Sequence, residues 1–153
     1  MSVTRRELCA LLPAVLTPGV LFPAILPADA RADEGNGLPS AMFPFEKLTP
    51  RTSNSATIRN VLKGKLATGE SLEVHETTLS PGGAPHPPHR HLHSEMWLIR
   101  EGTVELTVEG RSTQMGPGSV GFVRSNEEHG IKNVGAQAAT YFVVAIGPGA
   151  AGA

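Results

Sequence analysis

Short runs of alternating apolar and polar residues, separated by glycine and proline, occupy most of the chain beyond residue 57. The clearest run is SLEVHETTL, residues 71–79, in which every second side chain falls on the same face. This period of two predicts a β-strand, because successive side chains of a strand point to opposite faces. Leu72 and Val74 share one face. His75 lies on the opposite face. It is interpreted as a surface residue or as a core residue with its hydrogen bonds satisfied, unless Leu72 and Val74 face outward.

The same reading along the chain predicts about eight or nine short strands and no helix beyond the N-terminal segment. Residues 41–50 are predicted to form a short edge segment and 51–57 a polar loop, and Glu109-Gly110 has the composition of a two-residue hairpin turn. The predicted strands cover residues 57–62, 65–68, 71–79, 95–100, 103–108, 113–115, 119–123, 130–134 and 140–146. Many short, evenly spaced strands without an internal repeat predict an all-β sandwich or barrel.

Composition supports the prediction of an all-β fold and limits the classes of function that the protein could have. The chain of 153 residues fits one domain, and its 17 glycines and 13 prolines fit an all-β fold rich in turns. Lys and Arg number 13 against 14 Asp and Glu, and no basic patch is present, which argues against nucleic acid as a partner. Cys9 is the only cysteine, so the predicted domain must be stable without a disulfide.

The first 32 residues differ from the rest and resemble an export signal. The run Thr4-Arg5-Arg6-Glu7-Leu8 resembles a twin-arginine signal, an apolar stretch follows, and small-x-small cleavage sites occupy 28–30 and 30–32. The alternative is a retained membrane anchor, which three prolines in the apolar stretch disfavour. The prediction is therefore a cleaved signal over residues 1–32 and a periplasmic or extracellular protein with no membrane span after cleavage. Residues 33–56 would form an N-terminal tail and edge segment, and 57–148 the β-barrel.

Histidines and one glutamate carry the candidate chemistry. His89, His91 and Glu95 share the parity of one strand face, and an adjacent antiparallel strand could bring His129 to the same point. Three imidazoles and a carboxylate form a site for one divalent transition metal, namely Mn, Fe, Zn, Ni or Cu, and on an octahedral ion two positions would remain open. The alternative is a histidine-rich surface loop that binds metal adventitiously.

These residues carry a resemblance to the cupin superfamily, small single-domain type. The first cupin motif, G-x5-H-x-H-x3-4-E-x6-G, is matched by Gly83, His89, His91, Glu95 and Gly102. The second is matched by Gly110, Gly118, His129 and Asn133, with Gly116 standing where the family usually has proline. The resemblance implies a jelly-roll β-barrel with the metal in its mouth, bound by His89, His91, Glu95 and His129, and a homodimer formed through N-terminal strands.

The remaining candidates are assigned lesser roles. In similar cupins the residue at the position of His93 is usually not a ligand, so His93 is expected to support the ligands or line the rim. His86, in the Pro-rich loop, is expected at the rim or in solvent. Trp97 and Phe122 are predicted to fill the barrel or line its pocket, and Asn133 to form structural hydrogen bonds. Three further residues could reach a pocket but are interpreted as ordinary strand residues: Glu76, Gln114 and Tyr141.

Function is predicted only in outline. The resemblance favours a metal-dependent enzyme, most of all a dioxygenase-like oxidoreductase, acting on a small oxygenated molecule; a non-redox lyase or isomerase is close behind. The alternative from another class is a metal-dependent protein that binds a small molecule or sugar without catalysis. Arg90 and Arg100 alternate away from the ligand face, so the sequence offers no arginine to hold a substrate carboxylate. One fold supports many reactions, so both alternatives stay open at this point.

Overall fold

A computed structural model describes residues 37–53 and 55–151, which all belong to one compact unit. The predicted export signal, residues 1–32, lies outside the described residues. The described residues contain nine strands and one 3-10 turn, and no helix among them is long and apolar enough to cross a membrane. The elements are the 3-10 turn Phe45–Lys47 and the strands β1 Pro50–Ser53, β2 Ala56–Lys65, β3 Ser71–Leu79, β4 Ser94–Glu101, β5 Val104–Val108, β6 Arg111–Met115, β7 Val120–Val123, β8 His129–Asn133 and β9 Ala139–Ile146.

The strands form two antiparallel sheets. A six-stranded sheet has the order β1-β2-β3-β9-β4-β7, and a three-stranded sheet has the order β6-β5-β8. The chain passes between the sheets at the β4–β5, β6–β7, β7–β8 and β8–β9 connections, which is the jelly-roll arrangement. The all-β, jelly-roll prediction is confirmed.

The core lies between the two sheets and is made by alternate residues of each strand. Val104 and Leu106 of β5 face Trp97 and Ile99 of β4, and all four are buried. Burying each such side chain contributes about 1.5–3 kcal/mol of hydrophobic stabilisation, which is how a chain with few aromatic residues forms a stable barrel.

Strand β3 directs its polar residues inward. His75 and Thr77 line an internal cavity, whereas Leu72 and Val74 lie on the outer face of the sheet, where they are partly buried. The alternation at 71–79 thus predicted the strand correctly, and the condition under which His75 faces the interior is met.

Two predicted elements, the strand at 65–68 and the loop at 51–57, are wrong. The predicted strand 65–68 is a tight turn, because β2 runs to Lys65 and the amide of Gly69 then donates to the carbonyl of Leu66. The predicted loop 51–57 contains β1, which pairs with β2 from Pro50 to Ser53. All four residues of β1 are exposed, so this edge strand buries no side chain and shows no alternation in the sequence.

Two turns show why the sequence motifs have glycine at positions 102 and 110. The predicted hairpin turn is confirmed, since Glu109 and Gly110 both have positive φ angles, 47° and 74°, as a type I′ turn requires. Gly102 ends β4 with φ 76°, and a Cβ atom there would lie 2.6 Å from both Ala138 O and Ala139 Cα. The last glycine of the first motif is therefore required both by its backbone conformation and by the close approach of the segment entering β9.

Asn133 forms structural hydrogen bonds, as predicted. Its Nδ2 donates to the carbonyls of Leu79 (3.0 Å) and Gln137 (2.8 Å), and its Oδ1 accepts from the amide of Gly135 at 2.9 Å. The side chain is fully buried, so these bonds tie the end of β3 to the β8–β9 loop at a point that water does not reach.

Glu76 lies on the outer face of β3 yet is 1% exposed. Its two oxygens contact Arg59 Nη1 at 3.4 Å and Arg100 Nη1 at 3.1 Å. The ring of Phe45 packs beneath both guanidinium groups, 4.7 Å from that of Arg59 and 5.8 Å from that of Arg100. This Glu76 cluster (Phe45, Arg59, Glu76, Arg100) attaches the segment before β1 to the six-stranded sheet.

Candidate metal centre

His89 and His129 are brought together by the backbone. Each donates its amide to the other's carbonyl at 3.0 Å, so residue 89 forms an isolated antiparallel bridge at the start of β8. The two rings lie with their centroids 4.9 Å apart. The expectation that His129 arrives on an adjacent antiparallel segment is confirmed.

His91 and Glu95 join this pair by a different route from the predicted one. Residues 90–93 are not part of a strand, and the chain bends at Leu92 and His93 before β4 begins at Ser94. After the bend, Glu95 Oε1 lies 3.3 Å from His91 Nε2, and Glu95 Oε2 lies 3.5 Å from His129 Nε2. The four side chains therefore converge, although a continuous strand does not connect them.

Buried nitrogen atoms without partners test whether this group fits a metal. His89 Nδ1, His91 Nε2 and His129 Nε2 are all buried and make no hydrogen bond. A buried polar atom without a partner is costly, and a bound cation would satisfy all three. His89, His91 and His129 offer ligand atoms within 4.8 Å of one another. The residues present thus form a His3Glu group that could bind one metal ion.

The opposite nitrogens of two rings are already held. His91 Nδ1 donates to the carbonyl of His93 at 2.9 Å, and His129 Nδ1 donates to that of Glu127 at 2.8 Å. Because a carbonyl only accepts, these bonds place the hydrogen on Nδ1 and leave a lone pair on Nε2. Such outer contacts orient histidine ligands in metal proteins.

The separations also fit an ion. Two ligand atoms at adjacent positions of an octahedral ion, each about 2.1 Å from it, lie roughly 3.0 Å apart. The observed 3.3 and 3.5 Å distances from Glu95 to His91 and His129 require movements of only a few tenths of an ångström.

Electrostatics favour the protonation states that a metal requires at Glu95, His89 and His91. Burial acts to raise the pKa of Glu95, but His129, His91 and His93 outweigh it and lower the pKa to about 2, so the carboxylate is charged. Burial lowers the pKa of His89 and that of His91, which keeps both imidazoles neutral and able to donate a lone pair. At His129, burial acts to lower the pKa, but the contacts with Glu95 and Glu127 outweigh it and raise the pKa, so a metal would displace a proton from this ring.

His93 and His86 lie next to the cluster. The ring of His93 stacks on that of His91 at 3.6 Å, and its Nε2 lies 3.3 Å from Glu95 Oε1. His91, His93 and Glu95 consequently form a second group with ligand spacing, which shares two members with the first. His86 packs edge-on against His89 at 4.2 Å and lines the mouth of the cavity, at the rim.

The histidine cluster borders an internal cavity of about 160 Å³. Trp97 lines it, as predicted. Phe122 does not: it is 59% exposed on the outer face, because Gly121 and Val123 are the residues of β7 that point inward. Tyr141 is fully buried and lines the cavity, so its interpretation as an ordinary strand residue is wrong. The lining residues are Ile58, His75, Thr77, Pro85, His86, Glu95, Trp97, His129, Gly130, Ile131, Tyr141 and Val143.

Sequence reasoning assigned no pocket role to Thr77, and left His75 and Tyr141 as minor candidates. Leu79 could have shown which face of β3 points to the interior. It is a large apolar residue near the end of the strand, and it lies on the same face as Thr77 and His75. Apolar Leu72 and Val74 on the opposite parity obscured this signal, because the outer face of this sheet is also apolar.

Fold and cluster together define a jelly-roll β-barrel with a group able to bind metal at its cavity. Residues 75–145 match the family model described as Cupin_2: Cupin domain. The chain therefore contains a cupin domain, and the described barrel holds this single domain.

The chain is also similar to curated proteins and to solved structures. L-ectoine synthase of Bordetella petrii is 32% identical over 62 residues, which are 40% of this chain and 47% of that protein. The chain thus spans about half the length of the curated relatives it matches. Among solved structures, a predicted oxalate decarboxylase of Thermotoga maritima has 20% identity and a TM-score of 0.60, with 70% of this chain and 99% of that one covered. KdgF from Halomonas sp. has 15% identity and a TM-score of 0.60, with 70% and 94% covered. At these identities the structures establish the fold alone.

Proposed function

We propose that the protein is a metal-dependent enzyme that acts on a small oxygenated molecule held in the barrel cavity. The observation that carries this proposal is the set of three buried histidine nitrogens without hydrogen bonds beside the ionised Glu95, next to a cavity that Glu95 and His129 line. A divalent metal held there would polarise a bound oxygen or bind dioxygen beside the substrate. The predicted ligands are His89, His91, Glu95 and His129.

The cavity limits the ligand. Its volume of about 160 Å³ is close to the roughly 150 Å³ that accommodates benzene in an engineered apolar cavity. Trp97, Ile58 and Val143 provide apolar walls, while His75 and Thr77 add polar groups. No lysine or arginine is among the described residues that line it, so a ligand oxygen would be bound mainly through the metal.

Two reaction classes fit such a site. A dioxygenase-like oxidoreductase uses two open positions on iron or manganese for oxygen chemistry on an enol, phenol or carboxylic acid. The second candidate, a non-redox lyase or isomerase, is favoured by the similarity of 62 residues to L-ectoine synthase. Metal identity separates them, since oxygen chemistry needs a redox-active ion and the second class does not.

Metal replacement tests the proposal. Protein purified without added metal is expected to contain one divalent transition ion per chain by elemental analysis. Removing the ion with a chelator should abolish turnover in a screen of small enols, phenols and carboxylic acids, and one particular ion should restore it. Oxygen consumption only with Fe²⁺ or Mn²⁺ would indicate the oxidoreductase, and turnover with Zn²⁺ the lyase or isomerase. Metal-dependent binding without turnover would contradict the enzyme and support the binding protein.

We further propose that the protein forms a homodimer through the outer face of the six-stranded sheet. Met96 pairs in register with Phe122 and with Val144, and Leu98 pairs with Val120 and with Phe142, so their side chains form one continuous surface. Val120 and Phe122 are more than half exposed. These side chains are all apolar, and Glu76, which pairs with Phe142, is itself buried, so the surface is complementary to a second copy of itself, as a two-fold interface requires. The outer apolar face consists of Met96, Leu98, Val120, Phe122, Phe142 and Val144.

Replacing Phe122 by lysine is expected to convert the dimer to a monomer, because each lysine would place a charge in the apolar interface without a counter-ion. Sedimentation velocity over a range of protein concentrations measures the change. Val134→Lys is the matched control, since Val134 is also an exposed apolar residue but lies outside this face. A monomeric wild-type protein at high concentration, or a dimeric Phe122→Lys protein, would contradict the proposed interface.

A further inference from the structure

His75 faces the cavity from the same sheet as Glu95. His75, Val143 and Trp97 form one row across β3, β9 and β4, and Glu95 lies in the neighbouring row, next to Ala145. Strands in a sheet are about 4.8 Å apart, so the backbone of His75 lies roughly 10 Å from the strand that carries Glu95. Both side chains line the cavity, and the intervening space is the right size for a small ligand.

The ring of His75 has a carboxylate on one side. Its Nδ1 is buried, makes no hydrogen bond and lies 3.5 Å from Oε1 of Glu73, whose Oε2 contacts Lys63 Nζ at 3.2 Å. A carboxylate only accepts, so it favours the tautomer with hydrogen on Nδ1 and a lone pair on Nε2. A contact that is long before a ligand binds can shorten into a hydrogen bond when one does.

Other polar groups of this wall are already engaged. The hydroxyl of Tyr141 is hydrogen-bonded to Thr77, and burial raises the pKa of Tyr141, so the phenol keeps its proton. The charged groups that act on His75 are Glu73 on its own strand, Glu95 on β4 and Arg51 on β1. Burial outweighs the two carboxylates and lowers the pKa of His75, so the imidazole is neutral and able to accept a proton.

We propose that His75 is the proton acceptor of the cavity: Nε2 takes the proton from a weakly acidic hydroxyl group of a small ligand whose oxygen binds at the His3Glu group. The O–H bond of the ligand breaks, the proton forms a bond with Nε2, and the electron pair stays on the ligand oxygen. Glu73 is the positioning residue that holds the ring and stabilises the imidazolium. This role rests on the proposed function and assigns it a substrate class, namely weakly acidic enols, hydroxamic acids and phenols.

Calorimetry with acetohydroxamic acid as the probe tests this role in the zinc-loaded full chain. The probe is protonated near neutral pH and binds metals as its anion, so its proton must be transferred on binding. Titrations in buffers of different ionisation enthalpy give the number of protons released to solvent. The wild-type protein is expected to release about one proton fewer per bound probe than His75→Gln. Loss of the interaction with His75 should also weaken probe binding about tenfold.

Further variants make the outcome specific. Glu73→Gln should lower the pKa of His75, measured by NMR of the labelled imidazole, without a change in zinc affinity. Thr78→Val, on the opposite face of β3, should behave as wild type. Equal proton release by wild type and His75→Gln, with zinc and probe bound in both, would overturn the role of His75. Failure of the wild-type protein to bind zinc would instead overturn the proposed function.

Discussion

Replacing His91 by alanine is expected to lower the affinity for a divalent transition metal by at least about 100-fold. Loss of an outer contact to a metal ligand already costs 10–100-fold in affinity, and loss of the ligand itself should cost more. His91 is the most informative position, because it belongs both to the group with His89 and His129 and to the group with His93 and Glu95. Its removal therefore weakens either possible arrangement of ligands.

Competition between the protein and a chromophoric chelator for Zn²⁺ provides the measurement. His86→Ala is the matched control, since His86 is a histidine at the cavity rim and should keep the affinity within a few-fold. His91 is partly exposed, so the alanine variant should still fold, which the far-UV circular dichroism spectrum would establish. Unchanged zinc affinity in a folded His91→Ala protein would contradict the metal centre.

Replacing Glu76 by alanine is expected to destabilise the fold by about 2–3 kcal/mol. Removing one member of a buried ion pair typically costs 3–5 kcal/mol, and the estimate is reduced here because Arg100 is half exposed and water can solvate it. Arg59 is more buried and would keep a charge without its partner. The stacking of both guanidinium groups on Phe45 would also loosen, and with it the attachment of the segment before β1.

Thermal unfolding measures this effect, with an expected fall in Tm of roughly 10 °C for a domain of this size. Glu101→Gln is the matched control, because Glu101 also pairs with Arg100, at 3.2 Å, but is 60% exposed. Surface pairs contribute about 0–1 kcal/mol, so this variant should unfold near the wild-type temperature. Equal shifts for the two variants would show that the burial of Glu76 has no energetic importance.

The sequence predicted most of the strands and the identity of the cluster residues, but not the path that brings them together. Local alternation located β3 and β9 within one residue, and the glycines at 102 and 110 identified turns whose backbone conformations require them. His89 and Glu95 share a strand parity by coincidence, since the chain bends at residues 92 and 93 between them. The segment before the bend is held by the bridge between His89 and His129, which is a contact between residues 40 positions apart.

Which face of each strand points to the core was harder to predict than where the strands are. Both faces of the six-stranded sheet carry apolar residues, so Phe122 and Leu72 satisfy the pattern of a core equally well although they point outward. Inward positions are instead occupied by polar residues such as His75 and Thr77, because the barrel contains a cavity. Strand β1 shows no alternation for the opposite reason: its side chains are exposed, and it is held by backbone pairing with β2 and by hydrogen bonds from the side chains of Arg51 and Thr52.

The absence of lysine and arginine from the described cavity lining has a consequence for the order of events. Without an ion, the described lining carries the ionised Glu95, and His129, whose pKa is raised, is already paired with that carboxylate, so no unpaired positive charge is available to an anion. A bound divalent cation would supply this positive charge and would be the main attraction for an anionic oxygen. The ion is therefore expected to bind before an acidic ligand does. Protein stripped of its ion should show no residual affinity for such a ligand.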